Sequence, residues 1–216
     1  MDLKIKKMNH LFEEHNLKMD MEEKLIDILN ESLEQYSKYG ARSNKKVLII
    51  HKYFETTLQG LPKFKNQYDY SITMEQAVEC LNHKGSKKCD IVIRKKDLKR
   101  TVLYIFPVKF ITSNYKQNRN NYLESLVGET VCLKKKNNTA KIIPINIFRQ
   151  ETPYFDKNKK QTKTEKITHK ELEIYEAFKP YLFYDVINYI IVEKDGKIIN
   201  LHNDTPYRCL ETIVRE

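Results

Sequence analysis

Tryptophan is absent from this sequence, and glycine is scarce, with five residues in 216. That scarcity removes several kinds of chemistry at once. There is no Gly-x-Gly-x-x-Gly, no phosphate loop of the Walker kind and no Gly-x-Ser-x-Gly elbow, so no dinucleotide fold, no nucleotide triphosphatase and no serine hydrolase is indicated. Cys80, Cys89, Cys132 and Cys209 contain no Cys-x-x-Cys pair. His10, His15, His51, His83, His169 and His202 are scattered, so a zinc knuckle, a redox pair or a histidine-based metal site is not expected. Long apolar runs are also missing. Val47–Ile50 and Tyr189–Val192 fall far short of a bilayer, and Lys, Glu, His and Asp interrupt the first twenty residues. A soluble, cytoplasmic protein with reduced thiols is the expectation.

What is present is positive charge: 39 Lys plus Arg against 29 Asp plus Glu, a net +10. A surplus of that size draws polyanions and favours phosphate contacts. Hydrophobic residues make up 40% of the chain, enough to build a core. The length suits one domain over 1–216, with a helical part at 1–62, a central core at 63–150 and an α+β extension at 151–216.

Apolar spacing predicts a helix from Asp2 to Tyr39, using Leu3, Ile5, Met8, Leu11 and Phe12, then Leu25, Ile26, Ile28, Leu29 and Leu33. Gly40 is its natural stop. A second helix follows Ser43 and ends at Gly60-Leu61-Pro62. Tyr68–Ile72 reads as a strand, and Thr73 onward as either a short helix or more strand. Cys89–Arg94 and Thr101–Phe110 are strands joined by a short basic loop, which indicates an antiparallel hairpin. Asn118–Val127 reads as a helix ending at Gly128. Ala140–Phe148 is a strand interrupted by Pro144, and Gln150–Lys166 a lysine-rich loop able to grip DNA. Thr168-His-Lys-Glu171 is a capping box, and Lys194-Asp195-Gly196 a hairpin turn. Tyr115, Tyr154 and Phe155 are candidates for stacking on bases, whereas Tyr175, Phe178, Tyr181, Phe183 and Tyr184 read as core. The order of elements predicts an α/β fold on a mixed central sheet flanked by helices.

Metal-assisted hydrolysis of phosphodiesters needs hard oxygen ligands and a nearby cation. Asp90 opens one strand and Lys109 lies near the end of the next, with 18 residues between them. In a hairpin the two come to the same edge. Lys109, set in Val-Leu-Tyr-Ile-Phe-Pro-Val-Lys-Phe-Ile, needs a partner carboxylate or a route to water.

Cys89-Asp90 followed by Pro107-Val108-Lys109 and a helix resembles the PD-(D/E)xK nuclease superfamily, which includes many type II restriction endonucleases. The resemblance spans roughly residues 45–150 in architecture and a handful of positions in identity. It departs from the family at Cys89, where proline is usual, and at Pro107, where an acidic ligand is usual. Some members carry that acid on the following helix. Glu124, with 14 residues between it and Lys109, fits that spacing, and Glu129 is the alternative.

The resemblance implies a restriction-endonuclease-like core and a Mg²⁺-dependent endonuclease acting on double-stranded DNA. Asp90 and Glu124 are the implied metal ligands, helped by the Val108 carbonyl, with Lys109 at the attacking water. Glu79, or Glu55 on an upstream helix, is a further candidate acid, and Lys116, Gln117, Asn118 and Arg119 are candidate DNA contacts. Cutting both strands implies a homodimer, and a restriction role a DNA methyltransferase encoded nearby. Pro107 keeps open an inactive DNA-binding protein of the same fold. A junction-resolving or phage-defence nuclease would use the same residues.

Overall fold

The computed structural model describes residues 2–40, 43–66, 68–203 and 210, with side chains from Met21 onward. The apolar positions between Leu3 and Phe12, and Cys209, lie outside the described side chains. The helices are α1 (Asp2–Tyr39), α2 (Lys45–Gly60), α3 (Tyr115–Lys136) and α4 (His169–Ala177). The strands are β1 (Tyr70–Glu79), β2 (Ser86–Lys95), β3 (Val102–Phe106), β4 (Val108–Ile111), β5 (Lys141–Ile142), β6 (Ile145–Arg149), β7 (Glu151–Phe155), β8 (Gln161–Lys166), β9 (Ile187–Lys194) and β10 (Lys197–Asn203). Among them, no helix is long and apolar enough to cross a membrane.

The architecture is mixed α/β. One four-stranded sheet runs β1-β2-β3-β5 and another β10-β9-β6-β4. They meet where Pro107 divides β3 from β4 and Pro144 divides β5 from β6, because proline supplies no N–H to a ladder. Hydrogen bonds from Ile143 N to Ile105 O (2.9 Å) and from Ile145 N to Pro107 O (2.8 Å) carry the parallel pairing across the break. The single strand expected over Thr101–Phe110 is therefore two. The β1–β2 and β2–β3 pairs are antiparallel, while β3–β5, β4–β6 and β6–β9 are parallel.

Alternation along the strands feeds two faces. Ile91, Ile93, Phe106, Ile147 and Ile191 pack with Leu25 and Leu29 of α1 and Ile50, Phe54 and Leu58 of α2. On the other face Ile105 and Val92 meet Leu133 of α3, and Phe148 and Ile190 meet Tyr115, Leu126, Leu172 and Tyr175. Tyr175 and Phe183 are core, as their spacing suggests, but Tyr181 is 84% exposed.

Two further elements differ from expectation. The helix expected to stop at Gly128 runs on to Lys136, because Leu126, Thr130 and Leu133 bury the same side of it across the glycine. The segment Gln150–Lys166 is an antiparallel ribbon of β7 and β8 rather than a loop.

The capping box at Thr168 and Glu171 is present. Burial raises the Glu171 carboxyl, but hydrogen bonds from the Thr168 side chain and backbone outweigh it and hold it below its ordinary 4.5. A depressed carboxylate contributes stability above its unfolded value, and that contribution is lost as pH falls through the lower folded value. Glu171→Gln should thus destabilise the fold by about 1 kcal/mol at neutral pH. Chemical denaturation should show the gap between the variant and the parent closing as pH falls below the ordinary carboxylate range.

Candidate metal centre

The antiparallel pairing of β1 and β2 places Glu75 opposite Asp90, between the pairs Met74↔Ile91 and Gln76↔Cys89. Glu75 has a φ of 57°, the left-handed region that a side-chain-bearing residue enters at a cost of about 1–3 kcal/mol. Its effect shows in the burial pattern. Ile72 and Val78, an even number of residues apart, would share one face of a regular strand. Instead Ile72 packs on the α2 side and Val78 on the α3 side. On β2, Cys89 likewise joins Val92 on the α3 side, while Ile91 and Ile93 face α2. The hairpin changes hand at Glu75 and Asp90, and both carboxylates sit at the kink.

The sheet also opens here. Pairing between β2 and β3 ends at Ile91↔Phe106. Beyond it, the Val108 N–H donates to Asp90 Oδ2 at 2.7 Å, so a carboxylate stands in for a backbone acceptor. From the other side, α2 directs His51 inward, with Ile50, Phe54, Glu55 and Leu58 buried on the same helix. His51 is 2% exposed, and its Nδ1 lies 2.8 Å from Glu75 Oε1. Lys88 also pairs with Glu75. Burial raises the Glu75 carboxyl, but hydrogen bonds from Lys88 and His51 outweigh that and hold it below its ordinary value. At neutral pH it is a carboxylate.

His51, Glu75 and Asp90 each offer one ligand atom, and these atoms lie within 4.8 Å of one another, a group able to hold a metal ion. One observation fits that group. Buried His51 Nε2 has no hydrogen-bond partner among the described residues, a costly state for a polar atom without a ligand.

Beside this group lies a small cavity of about 50 Å³ bounded by Lys87, Lys88, Cys89, Asp90, Lys109 and Glu129, with Ile105, Pro107 and Leu133 as its apolar floor. Val108 and Phe110 face the α2 side, so Lys109 between them faces α3. Lys87 Nζ holds Glu129 Oε1 at 2.9 Å. Burial, and then the charge of Asp90, push the Cys89 thiol up to about 12, so it packs as a neutral group.

The structure therefore brings Asp90, Lys109 and Glu129 to one cavity and leaves Glu124 outside it, exposed on α3. Five residues of helix turn the chain by about 140° beyond a full revolution, so Glu124 and Glu129 cannot face the same way. Glu79 lines a separate wide groove of about 1350 Å³ with Arg94, Lys99, Arg100 and Lys136. Glu55 is buried one turn beyond His51 and pairs with Lys52 at 2.6 Å. Lys116, Gln117, Asn118 and Arg119 form the first turn of α3, with Lys116 3.6 Å from Glu171.

Sequence reasoning missed His51 and Glu75. The histidine carried a signal, since it shares a helical face with Phe54, Glu55 and Leu58. Glu75 carried none, because its placement depends on a left-handed residue inside a strand. Compared with family models, curated proteins and solved structures, the chain shows no match.

Proposed function

We propose that this protein is a divalent-metal-dependent endonuclease acting on double-stranded DNA, of the PD-(D/E)xK kind. The observation that carries the reading is the convergence of His51, Glu75 and Asp90 ligand atoms within 4.8 Å, beside a cavity that Lys109 lines. The order of elements supports it: helix α2, the antiparallel run β1, β2, β3/β4, the crossover helix α3 and the parallel strand β5/β6. That order supports the reading of a restriction-endonuclease-like core, and a net charge of +10 suits a polyanionic substrate.

His51, Glu75 and Asp90 would hold the ion, with the Val108 carbonyl and Glu129 at its margin. A bound divalent cation supplies Lewis acidity and lowers the pKa of an attacking water. Lys109 positions that water and offsets charge developing on the phosphate. The cavity is too small for a nucleotide, so the scissile phosphate lies across its rim. Glu75 and Glu129 take the place of the acid that Pro107 displaces. Cleavage of both strands calls for two copies of the chain.

An imidazole in the ligand set shifts the preference from Mg²⁺ towards Mn²⁺, since nitrogen donors suit transition metals. Incubation with supercoiled plasmid should give nicked and linear products with either ion, at a lower concentration of Mn²⁺. His51→Ala should raise the Mn²⁺ requirement about tenfold and narrow the gap between the two ions. Pro107 favours one other reading, a DNA-binding protein without activity. Intact plasmid under both ions, with salt-sensitive binding retained, would establish that reading instead.

A further inference from the structure

We infer that the tip of the β7–β8 ribbon, the turn at 156–160, is a duplex-binding element that enters the major groove of DNA and fixes where the helix lies against the cavity. The inference rests on the reading of the protein as one that acts on DNA, and concerns the grip rather than the chemistry.

The ladder of the ribbon is separate from those of both four-stranded sheets. Its five-residue strand β7 extends about 17 Å, and a two-stranded ribbon is one of the elements that a major groove about 12 Å wide admits. Its charges are sorted towards the tip, with the exposed acid Glu151 at the far end of β7 and Lys163 3.9 Å from Glu165 Oε1. The Asp156 carboxylate is spent on the turn, accepting from Asn158 N and Lys160 N at 2.9 Å each. Glu165, 4% exposed, turns inward and accepts from Lys116 N at 2.9 Å. Lys157, Lys159 and Lys160 at the tip are exposed and have no acidic partner among the described residues. Lys163 lies over the Tyr154 ring at 4.5 Å, further along the same arm.

Strand β7 is tied to the start of α3 along its length, up to the turn, so the turn at 156–160 is the part that projects. Asn114 N donates to Pro153 O (3.0 Å), Asn114 Nδ2 to Phe155 O (2.8 Å), and Phe155 N to Asn114 Oδ1 (2.9 Å). Lys116 and Arg119, both exposed, follow Asn114 on the first turn of α3. Along α3 Lys116 and Glu129 are 13 residues apart, about 20 Å, or about six base pairs of duplex. Asn118 and Glu129 lie three turns apart on one stripe of the helix. A duplex held by the ribbon and lying along that stripe passes over the cavity.

The test is binding without metal, so that it does not depend on cleavage. Anisotropy of a fluorescent 30-base-pair duplex in EDTA is measured against salt for the parent, for Lys157→Gln/Lys159→Gln/Lys160→Gln, and for the matching triple Arg variant. The Gln variant should bind at least tenfold more weakly and lose two to three units of salt slope, with the Arg variant restored and both melting as the parent does. Methyl green, a major-groove ligand, should displace the parent, and a minor-groove ligand such as distamycin should not. Unchanged affinity and slope in the Gln variant, stronger binding to single strands, or stronger binding to anionic vesicles would each overturn the inference. A parent that grips duplex through the ribbon yet never cuts it would sink the nuclease reading alone. A parent that cuts DNA with the Gln variant binding as tightly would sink the ribbon alone.

Discussion

Asp90→Asn should abolish the proposed metal-dependent DNA cleavage, lowering the rate by about 10³-fold or more, while the fold survives. Two roles of Asp90 separate in this variant. As a hydrogen-bond acceptor it ties Val108 N of β4 to β2 at 2.7 Å, where the ladder between β2 and β3 has ended. The amide oxygen of Asn keeps that bond. As a carboxylate it completes the group with His51 and Glu75, and the neutral amide is a far poorer ligand for a hard cation. Thermal melting close to the parent's, with loss of plasmid cleavage, is the expected pair of results. A variant that melts normally and cuts at the parent's rate would place the chemistry elsewhere.

Glu129→Gln should lower cleavage by about 10²-fold, and Glu124→Gln should change it less than twofold. The difference comes from helix phase. Glu129 stands on the side of α3 that buries Leu126, Thr130 and Leu133, against the cavity shared by Asp90 and Lys109. Glu124 points about 140° away and is exposed. Because Lys87 pairs with Glu129, the Gln variant also frees a lysine beside the cavity. A Lys87→Gln control therefore accompanies it, and should lose less than Glu129→Gln. Rates measured under single-turnover conditions keep binding and chemistry apart. A large loss in Glu124→Gln with none in Glu129→Gln would reverse the assignment.

The sequence made the strands visible where alternation and β-branched residues were dense, as in Cys89–Arg94 and Thr101–Phe110, and the hairpin between them followed from the short loop. Pro107 and Pro144 were visible as interruptions, but their joint effect was not. Two prolines side by side on neighbouring strands split a sheet into two, and that neighbour relation is tertiary. Lys109 could be singled out because a charged residue inside an apolar strand is unusual, and Asp90 by the family resemblance, although β2 begins at Ser86 and Asp90 lies within the strand rather than at its start. Glu129 could have been preferred to Glu124 by carrying the helix through Gly128 and counting from Leu126 to Leu133. The glycine suggested a stop that packing overrides. Glu75 depends on one left-handed residue that reverses the facing of a strand, and no local pattern announces it. The basic stretch Gln150–Lys166 read as a loop because Lys, Thr and Gln dominate it. Its pairing is secured instead by the ladder and by contacts from Asn114, 41 residues from Phe155.

Calorimetric titration of Mn²⁺ into metal-free protein bears most directly on the convergence of His51, Glu75 and Asp90. The parent should bind one ion per chain at neutral pH, and Asp90→Asn and His51→Ala should each weaken that binding at least tenfold. Absence of any saturable site in the parent, or affinities unchanged in both variants, would contradict a metal centre at the kink.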